Sequence, residues 1–291
     1  LRYTGTAGTV AGDFSANGLM NAGSGALAFS NTVTIGANRS LVITSPDATR
    51  AITISGIISN NAGGSSGLVK SGLGTVTLSG TNAYDGPTMV NAGILIIKNG
   101  AALGAPGGTA FVYRADGTNA TPTDSTGQLR LDPGGGGGFV LDKTVFIEGS
   151  ENYGYGGTLL NASGTNAING NVLLSPLGSR IGVSGGSRLE LNGQVIRTNA
   201  SYNPQLVFNA TGRLVANGAI DIGTGQLYAH SGGTNELNAK ATLGTLAIQY
   251  GNTVVLGVDD ALSSNAVVSI GVGSGATTNG GALDQIGRAH V

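Results

Sequence analysis

Short runs in which apolar and hydroxyl-bearing residues alternate recur along the whole chain. Thr32-Val33-Thr34-Ile35, Leu41-Val42-Ile43-Thr44, Ala51-Ile52-Thr53-Ile54, Thr75-Val76-Thr77-Leu78 and Thr144-Val145-Phe146-Ile147 are examples. Later come Leu189-Glu190-Leu191, Leu206-Val207-Phe208, Leu246-Ala247-Ile248 and Val254-Val255-Leu256. These runs are rich in β-branched residues and bounded by Gly, Asn, Ser or Asp, which marks short strands between tight corners. No longer window carries the 3.6-residue apolar period of a helix. The pattern predicts an all-β chain.

Many short strands fit a sandwich, a barrel or a solenoid, and the spacing of repeats discriminates among them. Asn169-Gly170, Asn192-Gly193 and Asn217-Gly218 return at intervals of about two dozen residues. The last two sit in a longer common frame. Arg188-Leu189-Glu190-Leu191-Asn192-Gly193-Gln194-Val195 aligns with Arg213-Leu214-Val215-Ala216-Asn217-Gly218-Ala219-Ile220. An Asn-Gly pair can also close a hairpin, but hairpins do not need the same element to return every two dozen residues. Stacked coils do, with equivalent corners one above another. The expectation is a right-handed parallel β-helix of about a dozen rungs, each about 4.8 Å from the next.

Composition narrows the function. Of 291 residues 53 are Gly and 7 are Pro, without the three-residue period of collagen. Only 10% are charged and the net charge is −1, so nothing attracts a nucleic acid or an anionic membrane. The absence of Cys removes disulfides and thiolate metal sites, and suits a chain that crosses an oxidising compartment unfolded. No apolar run is long enough for a transmembrane helix. The chain starts at Leu1 without a signal segment, and Ile286 to Val291 resemble a translated sequencing adapter. Residues 1–285 are therefore expected to form one solenoid domain, a fragment lacking both natural ends.

Residues 67–104 carry a denser pattern. Its frame, Gly-Leu-x-Lys-x-Gly-x-Gly-Thr-x-x-Leu-Ser-Gly, is met at Gly67, Leu68, Lys70, Gly72, Gly74, Thr75, Leu78, Ser79 and Gly80. It continues through Asn82, Tyr84, Gly86, Thr88, Val90, Asn91, Gly93 and Leu95. This segment resembles the autotransporter-associated β-strand repeat of type V secreted passenger domains, and Leu256 to Ala282 looks like a degenerate echo. The resemblance implies a parallel β-helix at the bacterial cell surface, exported through an outer-membrane β-barrel translocator that lies outside this chain. From the residues alone, Val76 and Leu78 point inward and Thr75, Thr77 and Ser79 outward. Tyr84 is expected on the wall with its hydroxyl in water.

Candidate chemistry is sparse. Gly182-Val183-Ser184-Gly185-Gly186 matches a nucleophile elbow, with Asp221 and His230 following in hydrolase order. An elbow needs a helix after the Ser, and Arg188 to Leu191 reads as a strand. Gly63-Gly64-Ser65-Ser66-Gly67 is a second such match in this Gly- and Ser-rich chain. Gly271 to Ala276 imitates a dinucleotide fingerprint without the helix it requires. Asp259-Asp260 is the one adjacent carboxylate pair, thin material for calcium binding or polysaccharide lysis. His230 has no second His before the adapter-like tail. Tyr153, Tyr155, Tyr202, Tyr228 and Tyr250 serve a wall or a sugar-binding face. Asn161-Ala162-Ser163 is an acceptor sequon of the kind this composition yields by chance. Gly134 to Gly138 reads as a protruding loop. The reading is of no catalytic, cofactor or metal site and no enzyme. It leaves a structural display segment, with an adhesin binding host or glycan through loops such as Ala115 to Thr126, or a β-helix polysaccharide-degrading enzyme, as alternatives.

Overall fold

A computed structural model describes residues 1–10, 12–61, 64–113, 127–149, 156–271 and 280–285. Its strands fall into three parallel columns, faces A, B and C, which the chain visits in that order. Face B stacks Gly8–Val10, Leu27–Phe29, Ile52–Ile54, Thr75–Leu78, Gly93–Ile97, Gly127–Leu131 and Leu159–Asn161. It continues through the second half of Val172–Val183, then Leu206–Ala210, Gln226–His230, Thr245–Ile248 and Val267–Ile270, twelve levels in all. Face A runs in step from Arg2–Tyr3 to Ala241–Thr242 and a last bridge at Leu262. Every pairing is parallel and none closes a barrel. The fold is a parallel β-solenoid.

Alternation along each strand explains the interior. Val76 and Leu78 are fully buried while Thr75 and Thr77 stay half-exposed. Parallel register then places like upon like. Leu27, Ile52, Val76, Leu95, Leu129, Leu159, Ile181, Phe208, Ala229 and Ile248 form one unbroken column across ten coils. Each Leu, Ile or Val removed from water contributes about 1.5–3 kcal/mol. The aliphatic core is a single cluster from Leu19 to Ala261.

The expected frame holds residue for residue. Arg188 pairs with Arg213, Leu189 with Leu214, Leu191 with Ala216, and Val195 with Ile220. At the corner that follows, Asn192 Nδ2 donates to Asn169 Oδ1 at 2.9 Å and Asn217 Nδ2 to Asn192 Oδ1 at 2.8 Å. The ladder extends further than the Asn-Gly pairs do. Asn169 donates to Asp142 Oδ1 below, and Asn238 donates to Asn217 above. The Gly after each Asn has a separate cause. A Cβ on Gly193 would lie 2.3 Å from the Gly170 oxygen, and one on Gly218 would lie 2.0 Å from the Gly193 oxygen. Asn supplies the rung of the ladder and Gly lets the backbones touch.

Face C is interrupted. Strands occupy it from Phe14–Ser15 to Ile58–Asn60 and again from Val140–Leu141 to Ala282–Gln285. Between them, the Asn82 side chain accepts from Ile58 N at 2.8 Å and donates to Ala102 O at 2.6 Å. Here the expectation for Tyr84 fails. Its ring is fully buried, and its hydroxyl bonds Thr88 Oγ1 at 2.7 Å instead of water. The coil from Leu68 to its partner Thr88 has only 20 residues and no face C strand, so the ring fills the missing aliphatic volume. Burial pushes the phenol pKa up.

Interior polar groups gather at the corners. Asn21 donates to Gly25 O and Arg50 O, and Ser45 Oγ donates to Arg50 O at 2.9 Å. One coil further, the Lys70 Nζ donates to Ser71 O, Gly72 O and Ala92 O at 3.0, 2.6 and 2.8 Å. Asn161 repeats the device with Gly164 O and Arg188 O, which leaves its sequon amide engaged inside the fold. Burial pushes the Lys70 pKa down from 10.5 to about 7, while three carbonyl acceptors favour the ammonium.

Gly193→Ala should cost about 2–3 kcal/mol and Asn192→Ala about 0.5–1.5 kcal/mol, read from urea unfolding by circular dichroism. Tyr84→Phe leaves the buried Thr88 hydroxyl without its partner and should cost about 1–2 kcal/mol in the same assay. Between about pH 7 and 10.5 the unfolded chain holds a proton on Lys70 that the folded chain sheds. Stability should therefore climb with pH across that window, by about 1–3 kcal/mol, and be lowest below it. Lys70→Met should flatten the climb, and an unchanged slope in that variant would clear Lys70 of it.

Candidate functional site

The elbow match does not assemble. Ser184 lies on the corner between faces B and C, and the segment after it enters the strand Arg188–Leu191 as expected. Asp221 sits on face A, where it caps Gly223 N and lies 3.5 Å from Arg197 Nε. His230 ends a face B strand and meets Gln249 Oε1 at 3.0 Å. Chain order resembles a triad, but the three side chains occupy different faces or coils.

Asp259 and Asp260 are exposed on a turn. Among the described residues, no three His, Cys, Asp or Glu side chains gather as a metal site. Gly134 to Gly138 is exposed, but its end rejoins the stack, where Gly137 O accepts from Thr165 N at 3.1 Å. Ala115 to Thr126, Tyr153, Tyr155, Val272 to Ala276 and Ile286 to Val291 lie outside the described residues, as does Gly63 of the second elbow match. Of the remaining tyrosines, Tyr202 stands exposed, with its carbonyl held by Arg197.

Tyr228 and Tyr250 do come together. The His230 ring lies 5.6 Å from Tyr228 and 5.1 Å from Tyr250, edge-on to both. Around them is an open cleft of about 320 Å³ lined by Arg180, Asn209, His230, Ser231 and Tyr250. These residues come from four successive face B levels and the corners that follow them. Asn209 donates to Gly156 O at 3.3 Å and accepts from the Ser231 hydroxyl. Burial first, then the Arg180 guanidinium, lowers the His230 pKa, with Gln249 pulling the other way. Sequence reasoning had two of these residues, His230 and Tyr250, but assigned them separately. The signal that unites them is their common phase in the coil.

Two other clefts are less equipped. One of about 230 Å³ lies beside Pro106, Asp142 and Lys143, and one of about 360 Å³ lies over Phe139, Val140 and Glu190. Face A also carries an outward apolar row, Val42, Val69, Met89, Phe111, Phe146, Leu173 and Ile196. Its aromatic part is a cluster in which Phe111 and Phe146 both contact Tyr113.

Comparison with known proteins supplies a repeat and a relative. The model of the passenger-associated-transport-repeat matches residues 68–97, within the segment singled out above. The chain is 30% identical over 220 residues to the adhesin BmaC autotransporter of Brucella suis biovar 1 (strain 1330). That alignment covers 69% of this chain but 6% of the relative, so the chain spans a small part of that protein's length. No solved structure matches. The chain thus carries an autotransporter passenger repeat, set in stacked parallel coils, and is similar over most of its length to a part of an autotransporter adhesin.

Proposed function

We propose that this passenger segment works by presentation at the bacterial surface, as one solenoid over residues 1–285, and not by catalysis. The observation that carries the reading is the unbroken parallel register of face B through twelve levels. Each coil finds its backbone partners on the coil before it, so coils can form one after another as the chain leaves an export pore. That pore would be an outer-membrane β-barrel supplied outside the described residues. No helix among these is long and apolar enough to cross a membrane.

A second reading, adhesion, is favoured by the printed name of the relative and by a polar, aromatic cleft on the outside of the rod. The polysaccharide-degrading alternative would need clustered carboxylates, and Asp259 and Asp260 stand exposed on a turn. Fused to an outer-membrane barrel in a bacterial host, the segment should be stained by antibody on intact cells and released by external protease. Staining confined to permeabilised cells would sink the display reading. Unsaturated sugars released from a pectin or alginate panel with calcium would establish the enzyme instead.

A further inference from the structure

We propose that the cleft formed by Asn209, His230, Ser231 and Tyr250 is a saccharide-binding subsite. The inference deepens the adhesive reading and rests on it for the surface location.

The backbone carries the first part of the argument. Ser231 has φ +77° and Tyr250 has φ +54°, and each is followed by a Gly with positive φ, Gly232 at +69° and Gly251 at +74°. Two successive left-handed residues make a turn whose first position favours Asn, Asp or Gly. The described residues include only four non-Gly residues at positive φ, and two of them face this one cleft. A chain with 53 Gly residues could have placed Gly at both positions without strain. A bulky Tyr held in the left-handed region is an outlier of the kind that gathers at ligand sites.

The side chains carry the second part. Asn209 is fixed between Gly156 and Ser231, so its amide is oriented before any ligand arrives. When Nε2 of His230 donates to Gln249 Oε1, Nδ1 is left as an acceptor. Tyr250 is 38% exposed and offers its ring for stacking. Amide, hydroxyl, imidazole and an open aromatic ring match a sugar, whose hydroxyls both donate and accept around an apolar C–H face. The volume suits one or two pyranose rings better than a protein epitope.

The test uses the purified chain on a glycan array, followed by saturation-transfer NMR with methyl glycosides of N-acetylglucosamine, galactose and mannose. Ser231→Gly and Tyr250→Gly should weaken binding at least tenfold while leaving the unfolding temperature unchanged or raised. Tyr202→Ala, at an exposed tyrosine elsewhere, should bind as the parent does. The proposal is overturned if no glycan binds, or if both glycine variants bind like the parent. It is equally overturned if both variants unfold at lower temperature, because the strained turns would then serve folding. Surface staining without glycan binding keeps the passenger reading and removes the subsite. Glycan binding without surface staining does the reverse.

Discussion

The parallel amide ladder is the constraint to which everything else in this molecule answers. A backbone N–H or C=O turned away from water needs a partner, and here the strands find theirs on the adjoining coils. Register must therefore be recovered at every level, whatever the chain does between levels. The distance from a residue to its partner above varies from 18 residues, Arg2 to Met20, to 35 residues, Ala110 to Val145. All of that variation is absorbed at corners and excursions. The strands return to the same columns, which is why one aliphatic file can run through ten coils.

This constraint also explains which parts of the fold could be read in advance. Strand identity and inward direction follow from local alternation, so Val76, Leu78 and their counterparts were legible. Register became legible where neighbouring coils kept the same strand-to-strand spacing across the same corner, as from Arg188 and Arg213 onward. The Asn ladder was legible only in part. Asn238 is followed by Ala and Asp142 by Lys, so neither carries the Asn-Gly mark, yet both take their rung. Their side chains hold the ladder, while the marker Gly answers a different demand, close backbone approach.

Tyr84 and the cleft were harder to read because both depend on which face a residue occupies. Tyr84 sits where face C lacks a strand, and nothing in the alternation reports that gap. Ser184, Asp221 and His230 show the converse. Their order along the chain suggests a site, but function in a solenoid is grouped by phase within the coil and not by order. Asn209, His230 and Tyr250 are far apart in the chain and adjacent in space because their coils bring them to one corner.

Lys70 shows how the interior reconciles polarity with stacking. In the coil below it, Ile43 occupies the aliphatic file and Ser45, two residues on, caps the corner carbonyls. Lys70 pairs with Ile43, and the position two residues on is Gly72, which has no side chain and a φ of +75°. The lysine therefore takes both parts. Its methylenes continue the file that runs from Leu19 through Ile43 to Val90, and its head reaches carbonyls of its own corner, those of Ser71 and Gly72. Because it also reaches the carbonyl of Ala92, which belongs to the next coil, the same side chain ties two levels together. A Lys–Gly pair can thus replace an Ile–Ser pair without a change in register. That exchange accounts for a charged residue at an inward position of the transport repeat.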